Sequence, residues 1–163
     1  MLQITDSKPL QVRGMGVRLS DEVQPPGQVN YGHLQVLFED GSVGWYEAGW
    51  GPMISETAYF VKDVMGPKGS VSILGQEGGS SADVDGHTRT SKIKVHRAGG
   101  EDEMVEMQSE PGHQELCDLE QRFVCQAIVE GRDLERHWSD ALRSQAVVLA
   151  ADLSMRERRA VDL

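Results

Sequence analysis

The chain reads as an α+β protein: an open, mostly antiparallel β-sheet with two C-terminal helices packed on one face. Three observations predict this. Apolar residues recur with period two before about residue 110 and with helical spacing after it. Asp40-Gly41 stands between two alternating runs, as it does in a hairpin. Strands first and helices last also argue for segregated elements, against the strand–helix alternation of a parallel sheet.

Pro9 to Leu19 is the first extended run, with Leu10, Val12, Val17 and Leu19 as apolar positions, and the polar, proline-containing stretch from Ser20 to Gln28 is a loop. From Asn30 to Glu39, the residues Gly32, Leu34, Val36 and Phe38 alternate with Tyr31, His33, Gln35 and Leu37. Asp40-Gly41 then turns the chain, and Val43 to Trp50 returns antiparallel. Thr57 to Met65 has large apolar groups in both alternating sets (Ala58, Phe60, Val64; Tyr59, Val61, Met65), which predicts a strand covered on both sides. Gly66-Pro67-Lys68-Gly69 turns into Ser70 to Leu74, Gly75 to Gly86 is a long Gly/Ser/Asp loop, and His87 to His96 and Glu103 to Gln108 complete about seven strands.

Past Pro111, Leu116, Leu119, Phe123 and Ala127, with Val124 and Ile128, keep the i, i+3, i+4 spacing of an amphipathic helix ending near Gly131. A second helix is expected to begin after Ser139 as N-cap, with Asp140 in its first turn, and to run through Leu142, Ala146, Leu149 and Leu153 as its apolar positions. Ala146 to Ala151 is apolar on nearly every face, so this helix should be the more buried of the two. Ala160 to Leu163 is expected as a last edge strand.

The length of 163 residues predicts one domain over residues 1–163 and leaves no room for a complete two-domain dehydrogenase. With 26 acidic and 16 basic residues the net charge is −10, and no Lys/Arg run exceeds Arg158-Arg159, so nucleic acid and anionic membranes are poor partners. The apolar content of 39% is low for a self-sufficient core and points to a surface that finishes its burial against a partner. The longest apolar stretch, Ala146 to Ala151, is far too short to span a bilayer, and the N-terminus has no basic-then-apolar export pattern. Cys117 and Cys125 lie on the first predicted helix about 12 Å apart along its axis, too far to bridge within it. Two reduced thiols, read as small core residues, fit a soluble, cytoplasmic protein.

Apparent cofactor motifs resolve into structural ones. Gly14-Met15-Gly16 would need a third glycine at position 19, which is Leu19, and it lies inside a strand. Lys68-Gly69-Ser70 has glycine and lysine in the wrong order for a phosphate loop, and a strand follows it. The histidines are dispersed, and only His113 with Cys117 has a spacing that puts two metal ligands on one helix face, where a site needs at least a third. No catalytic constellation is legible from order alone.

The segments from Val12 onward resemble the C-terminal domain of the glucose-fructose oxidoreductase / inositol dehydrogenase / rhizopine-catabolism (Gfo/Idh/MocA) family. Lys8-Pro9-Leu10-Gln11-Val12 resembles its first sheet strand, Phe38-Glu39-Asp40-Gly41-Ser42-Val43-Gly44 its hairpin, and Val64-Met65-Gly66-Pro67-Lys68-Gly69-Ser70-Val71 its glycine turn. Glu120 to Gly131, then Ser139-Asp140-Ala141-Leu142, Ala150-Ala151 and Ser154, resemble its two closing helices. The resemblance implies a two-domain oxidoreductase, dependent on NAD or NADP, that acts on sugars, polyols or their derivatives. This half would supply an open sheet with helices on one face and an oligomer partner on the other.

The family's Rossmann domain, its Glu-Lys-Pro motif with the catalytic lysine, and its Asp- and His-bearing helix should precede the first strand. Ser7-Lys8-Pro9 is not that motif. No catalytic and no cofactor-binding residue is therefore assigned, and the isolated chain is expected to bind no NAD(P) and to transfer no hydride. Substrate contacts of the family map loosely onto Trp50 to Glu56. There Trp50 would stack on a sugar ring and Glu56 would accept hydroxyl hydrogen bonds, although a packing tryptophan and a solvated glutamate fit the same residues. Tyr31, Trp45, Tyr46, Tyr59 and Phe60 are assigned to sheet-face packing, and a homodimer through the open sheet is expected. The competing readings are a free-standing carbohydrate-binding or assembly module without catalytic activity, and a small metal enzyme using His87 and His96.

Overall fold

The computed structural model describes residues 1–21, 25–49, 62–74 and 89–163. In chain order these form α1 (Leu2–Thr5), β1 (Pro9–Val17), β2 (Tyr31–Phe38), β3 (Val43–Gly49), β4 (Lys62–Gly66), β5 (Gly69–Leu74), β6 (Lys92–Arg97), β7 (Glu103–Glu106), α2 (His113–Glu130), α3 (Glu135–Glu157) and β8 (Val161–Asp162). The α+β class and the antiparallel pairing hold throughout. The described strands form two four-stranded sheets, ordered β3-β2-β1-β8 and β4-β5-β6-β7. The chain divides into two compact units, Met1–Met53 with Asp133–Leu163, and Ile54–Arg132. No helix among the described residues is long and apolar enough to cross a membrane.

In the first unit the alternation read from the sequence sets the faces. Val12, Val36 and Phe38 are buried and join Ala150 and Ala151 of α3 and Val161 of β8 in one core, with Leu34, Val147, Leu153 and Met155 packed around it. The β2–β3 turn is a three-residue loop: Gly41 takes φ +82°, and Asp40 accepts hydrogen bonds from the Ser42 N–H at 3.0 Å and hydroxyl at 2.6 Å. These two bonds hold the Asp40 carboxyl below the usual carboxylate range. The loop after β1 is held by Asn30, 2% exposed, whose side chain accepts from the Leu19 N–H and donates to the Ser20 carbonyl.

The second helix departs from expectation in two ways. It starts at Glu135, with Ser139 inside it, because Asp133 supplies the carboxylate that accepts the Glu135 N–H at 2.8 Å. Its buried face is also rotated: Ala150, Ala151 and Ser154 are buried, Leu153 is half-buried, and Leu142 and Leu149 stand 72% and 60% exposed. The cause lies in β1. A Cβ on Gly14 would sit 2.6 Å from the Ala151 carbonyl oxygen, and one on Gly16 would sit 2.7 Å from Met155 Sδ, so the strand lets the helix backbone come close and selects small residues there. Beyond the β8 pairing, the Gly14 N–H donates to Ser154 Oγ at 2.9 Å, and that hydroxyl donates to the Arg159 carbonyl. The expectation that this helix buries more than α2 holds, since α2 buries only Ala127.

In the second unit β4 and β5 join through Pro67-Lys68, with Gly69 at φ +150°. A side chain at Gly69 would overlap the His96 carbonyl, which fixes the turn's glycine. Glu110 closes the entry to β6, its two carboxylate oxygens accepting the N–H groups of Thr90 and Ser91 at 2.8 and 2.7 Å. Helix α2 ends at Gly131 in the left-handed region, φ +62°, as the sequence indicates. The strand expected to be covered on both sides is described only over Lys62–Gly66, where every residue is exposed, with Met65 at 82%. Tyr59, Phe60 and the Gly75 to Gly86 loop lie outside the described residues.

Candidate functional site

Strand register assembles one surface that no single segment contains. The residues of β1–β3 opposite α3 form rows across the first sheet: Gln11, Leu37 and Val43; Arg13, Gln35 and Trp45; Met15, His33 and Glu47; Val17, Tyr31 and Gly49. Trp45 is 72% exposed and Val43 67%, and Met15, Val17 and Leu37 are exposed beside them. The other face of the same strands carries the core and α3. A sheet with one face packed and large apolar groups standing on the other presents a ready contact surface. Among the described residues, neither Trp45 nor Tyr46, which stands on the opposite face beside Leu34, is packed, at 72% and 59% exposed.

Polar groups give the surface its pattern. The Tyr31 hydroxyl donates to the Glu47 carboxylate, and this bond, with lesser contributions from burial and the carboxylate charge, raises the tyrosine pKa. His33 lies directly opposite Glu47, with Met15 on its other side. Its Nδ1 is buried and has no hydrogen-bond partner. Arg13 and Glu47 flank β2 from opposite sides, so the surface carries a positive and a negative group about two strand spacings, roughly 10 Å, apart. The sequence alone leaves this grouping open. A two-residue Asp40-Gly41 turn would pair His33 with Ala48, and the three-residue loop Glu39 to Gly41 is what puts His33 opposite Glu47.

Trp50 and Glu56, the expected substrate contacts, lie outside the described residues, and so does His87. His96 pairs with Asp102, Nδ1 to carboxylate 2.7 Å, and Lys94 Nζ shares that carboxylate at 2.6 Å. The hydrogen bonds from Lys94 and then His96 hold Asp102 below the ordinary range. His113 Nε2 stands 3.8 Å from Cys117 Sγ, as the i, i+4 spacing requires, and no cluster of three or more His, Cys, Asp or Glu suited to a metal occurs among the described residues. Cys125 is exposed rather than core-like, because it falls off the apolar stripe of α2. A charged cleft beside α1 is internally paired, Arg136 to Asp6 at 2.8 Å and Arg143 to Asp140 at 3.6 Å.

Among the described residues, the glycines of the two apparent cofactor motifs do not fit a dinucleotide. Gly14 and Gly16 face α3, which fills the space a pyrophosphate would need, and Gly69 precedes strand residues with no helix N-terminus behind it.

Solved structures share this fold, three of them as follows. Aldose-aldose oxidoreductase from Caulobacter crescentus, complexed with glycerol, superposes with TM-score 0.70 at 20% identity, over 99% of this chain and 43% of that one. Levoglucosan dehydrogenase, in complex with NADH and levoglucosan, gives 0.71 at 16% identity, over 95% and 45%. An oxidoreductase from Agrobacterium radiobacter, in complex with NAD+, L-tartaric acid and magnesium, gives 0.69 at 14% identity, over 95% and 43%. The chain thus spans under half the length of each. No curated protein matches it. The model of the oxidoreductase family's C-terminal alpha/beta domain matches residues 7–163, nearly the whole sequence, and the chain therefore belongs to the Gfo/Idh/MocA oxidoreductase family as its C-terminal domain.

Proposed function

We propose that residues 1–163 act as one domain, the substrate-side and assembly half of an NAD(P)-dependent oxidoreductase acting on a sugar, polyol or derivative, in the cytoplasm. In this reading the chain pairs with a second copy through the α3-free face and transfers no hydride alone. Hydride transfer requires a nicotinamide fixed against the substrate carbon, and residues outside this chain would hold it. The chain's coverage of less than half of NAD- and sugar-bound relatives supports this division of labour. Trp50 and Glu56 are assigned the contacts to the sugar ring and its hydroxyls.

The observation that carries the assembly reading is the α3-free face, with Trp45 and Val43 exposed at its rim and Arg13 and Glu47 placed on either side of β2. A two-fold axis along β2 lays β1 of one copy over β3 of the other. It brings Arg13 towards the Trp45–Glu47 edge and its charge towards a carboxylate and an indole face, so the surface complements itself. Sedimentation equilibrium of the full chain tests this. A dimer is expected at micromolar concentration, and Trp45→Arg, which sets a like charge against Arg13 of the second copy, is expected to give a folded monomer. A wild-type monomer at high concentration would remove the assembly reading.

A further inference from the structure

We infer that Ser70, His96 and Asp102 form a nucleophile, its base and the group that orients the base, a site on the second sheet for acyl transfer from small activated esters. It is independent of the assembly and of the hydride chemistry proposed above. Strand pairing sets Ser70 of β5 directly opposite His96 of β6, and β7 lies on the other side of β6. From that other side the loop before β7 brings in Asp102, whose carboxylate accepts from His96 Nδ1 at 2.7 Å. The histidine thus stands between the serine and the aspartate.

An ionised carboxylate only accepts, so the ring proton is fixed on Nδ1 and Nε2 is left as the basic nitrogen. Lys94 Nζ holds the other carboxylate oxygen at 2.6 Å, which keeps Asp102 in place. Directly opposed strand residues share a face with their Cβ atoms roughly 5 Å apart, a gap that a hydroxyl and an imidazole can span. The Ser70–His96 hydrogen bond is not made in the free chain and would close on a bound ester, as catalytic contacts do. Ser70 is half-buried, and the His96 and Asp102 side chains are 52% and 38% exposed, so an ester reaches the row from solvent. Met65, opposite Ser70 on β4 and 82% exposed, offers the acyl group a pliable apolar seat.

In the reaction Ser70 Oγ bonds to the ester carbonyl carbon as its proton passes to His96 Nε2. The carbon–oxygen bond to the alcohol then breaks, and the alcohol takes the proton back. Water repeats the sequence on the acylated serine, so the sum is ester plus water giving acid plus alcohol, with no change of oxidation state. A nucleophile and its base are what the row supplies, which suits esters whose alcohol leaves readily, aryl esters above all.

Hydrolysis of p-nitrophenyl acetate by the full chain tests the inference, with nitrophenolate release followed in time and the acetyl group located by mass spectrometry after an acid quench. The wild-type rate is expected to exceed that of Ser70→Ala and of His96→Gln by about tenfold or more, with the acetyl group on Ser70. Ser72→Ala, on the same strand and face one row away, is expected to match the wild type. Asp102→Asn is expected to lose about tenfold or more and Asp102→Glu to recover most of the loss, and this pair decides the matter should Ser70→Ala not fold. Equal rates in wild type and Ser70→Ala, or an acetyl group carried only by His96 or a lysine, would overturn the proposal, as would an Asp102→Asn rate equal to the wild type.

Discussion

Replacing Ser154 with alanine removes a single oxygen from the least accessible point of the first unit. Its hydroxyl, 0% exposed, accepts from the Gly14 N–H at 2.9 Å and donates to the Arg159 carbonyl. Neither group has a strand to turn to, since β8 pairs β1 only at Gln11 and Val12. The variant leaves two interior backbone groups without their partner, at about 1–3 kcal/mol each and with partial relief from relaxation, for a net loss of about 2–4 kcal/mol. For a chain of this length that lowers Tm by roughly 5–12 °C. Urea unfolding followed by circular dichroism reads the change directly as a lower midpoint at unchanged slope. Ser144→Ala, at an exposed position of the same helix, is the control and should shift stability by less than about 0.5 kcal/mol. A Ser154→Ala loss no larger than that control would refute the view that this hydroxyl replaces a missing strand pair.

Gly14→Ala should cost more than Gly16→Ala in the same assay, because the new methyl meets the fixed Ala151 carbonyl at one site and the movable thioether of Met155 at the other. Burial alone would raise the Glu110 pKa, but the N–H bonds from Ser91 and Thr90 outweigh it and leave it lowered. The clasp is therefore complete above the ordinary carboxylate range and lost as pH falls through the folded value. Amide exchange at Thr90 and Ser91, corrected for intrinsic rates, should show protection that falls in acid, and Glu110→Gln should remove that dependence. Titration calorimetry of the chain with NAD+, NADH or NADPH is expected to give no binding, and a micromolar Kd would contradict the proposed division of labour. With a nicotinamide-binding half supplied, Trp50→Ala and Glu56→Gln should each raise KM for the sugar substrate about tenfold or more, and an unchanged KM would remove both assignments.

Much of the fold was legible because period-two patterning and two tight turns leave few alternatives. Val12, Val36 and Phe38 are core residues as their alternation requires, and Asp40-Gly41 and Pro67-Lys68 turn where they should. The hydrophobicity of α3 alone does not define its buried face, which depends on what lies opposite. Gly14 brings the α3 backbone close at Ala151 and Gly16 takes Met155, so this side of α3 faces the sheet and the leucines at 142 and 149 turn outward. Ser139 looked like a cap because serine favours that position, but Asp133 lies earlier and reaches the first turn. The His96–Asp102–Lys94 group was hidden since its parts meet only once β6 and the loop before β7 are in place. The Tyr31–Glu47–His33 group depends on a one-residue difference in the hairpin: a two-residue Asp40-Gly41 turn sets Ala48 opposite His33, and the three-residue loop sets Glu47 there.

The first unit is discontinuous along the chain, closing on Ala150, Ala151, Ser154 and Val161, whereas the second is a continuous insertion between its halves. On the ribosome, the first three strands therefore wait, edges bare, until the second unit, α3 and β8 have been made. The intervening unit is free to mature meanwhile. Between those events β1 exposes its glycine-floored groove and its unpaired Gly14 amide to any passing strand. A holding chaperone, or fast translation of the stretch from residue 54 to residue 150, would be expected to govern the yield of native protein more than any property of the finished molecule.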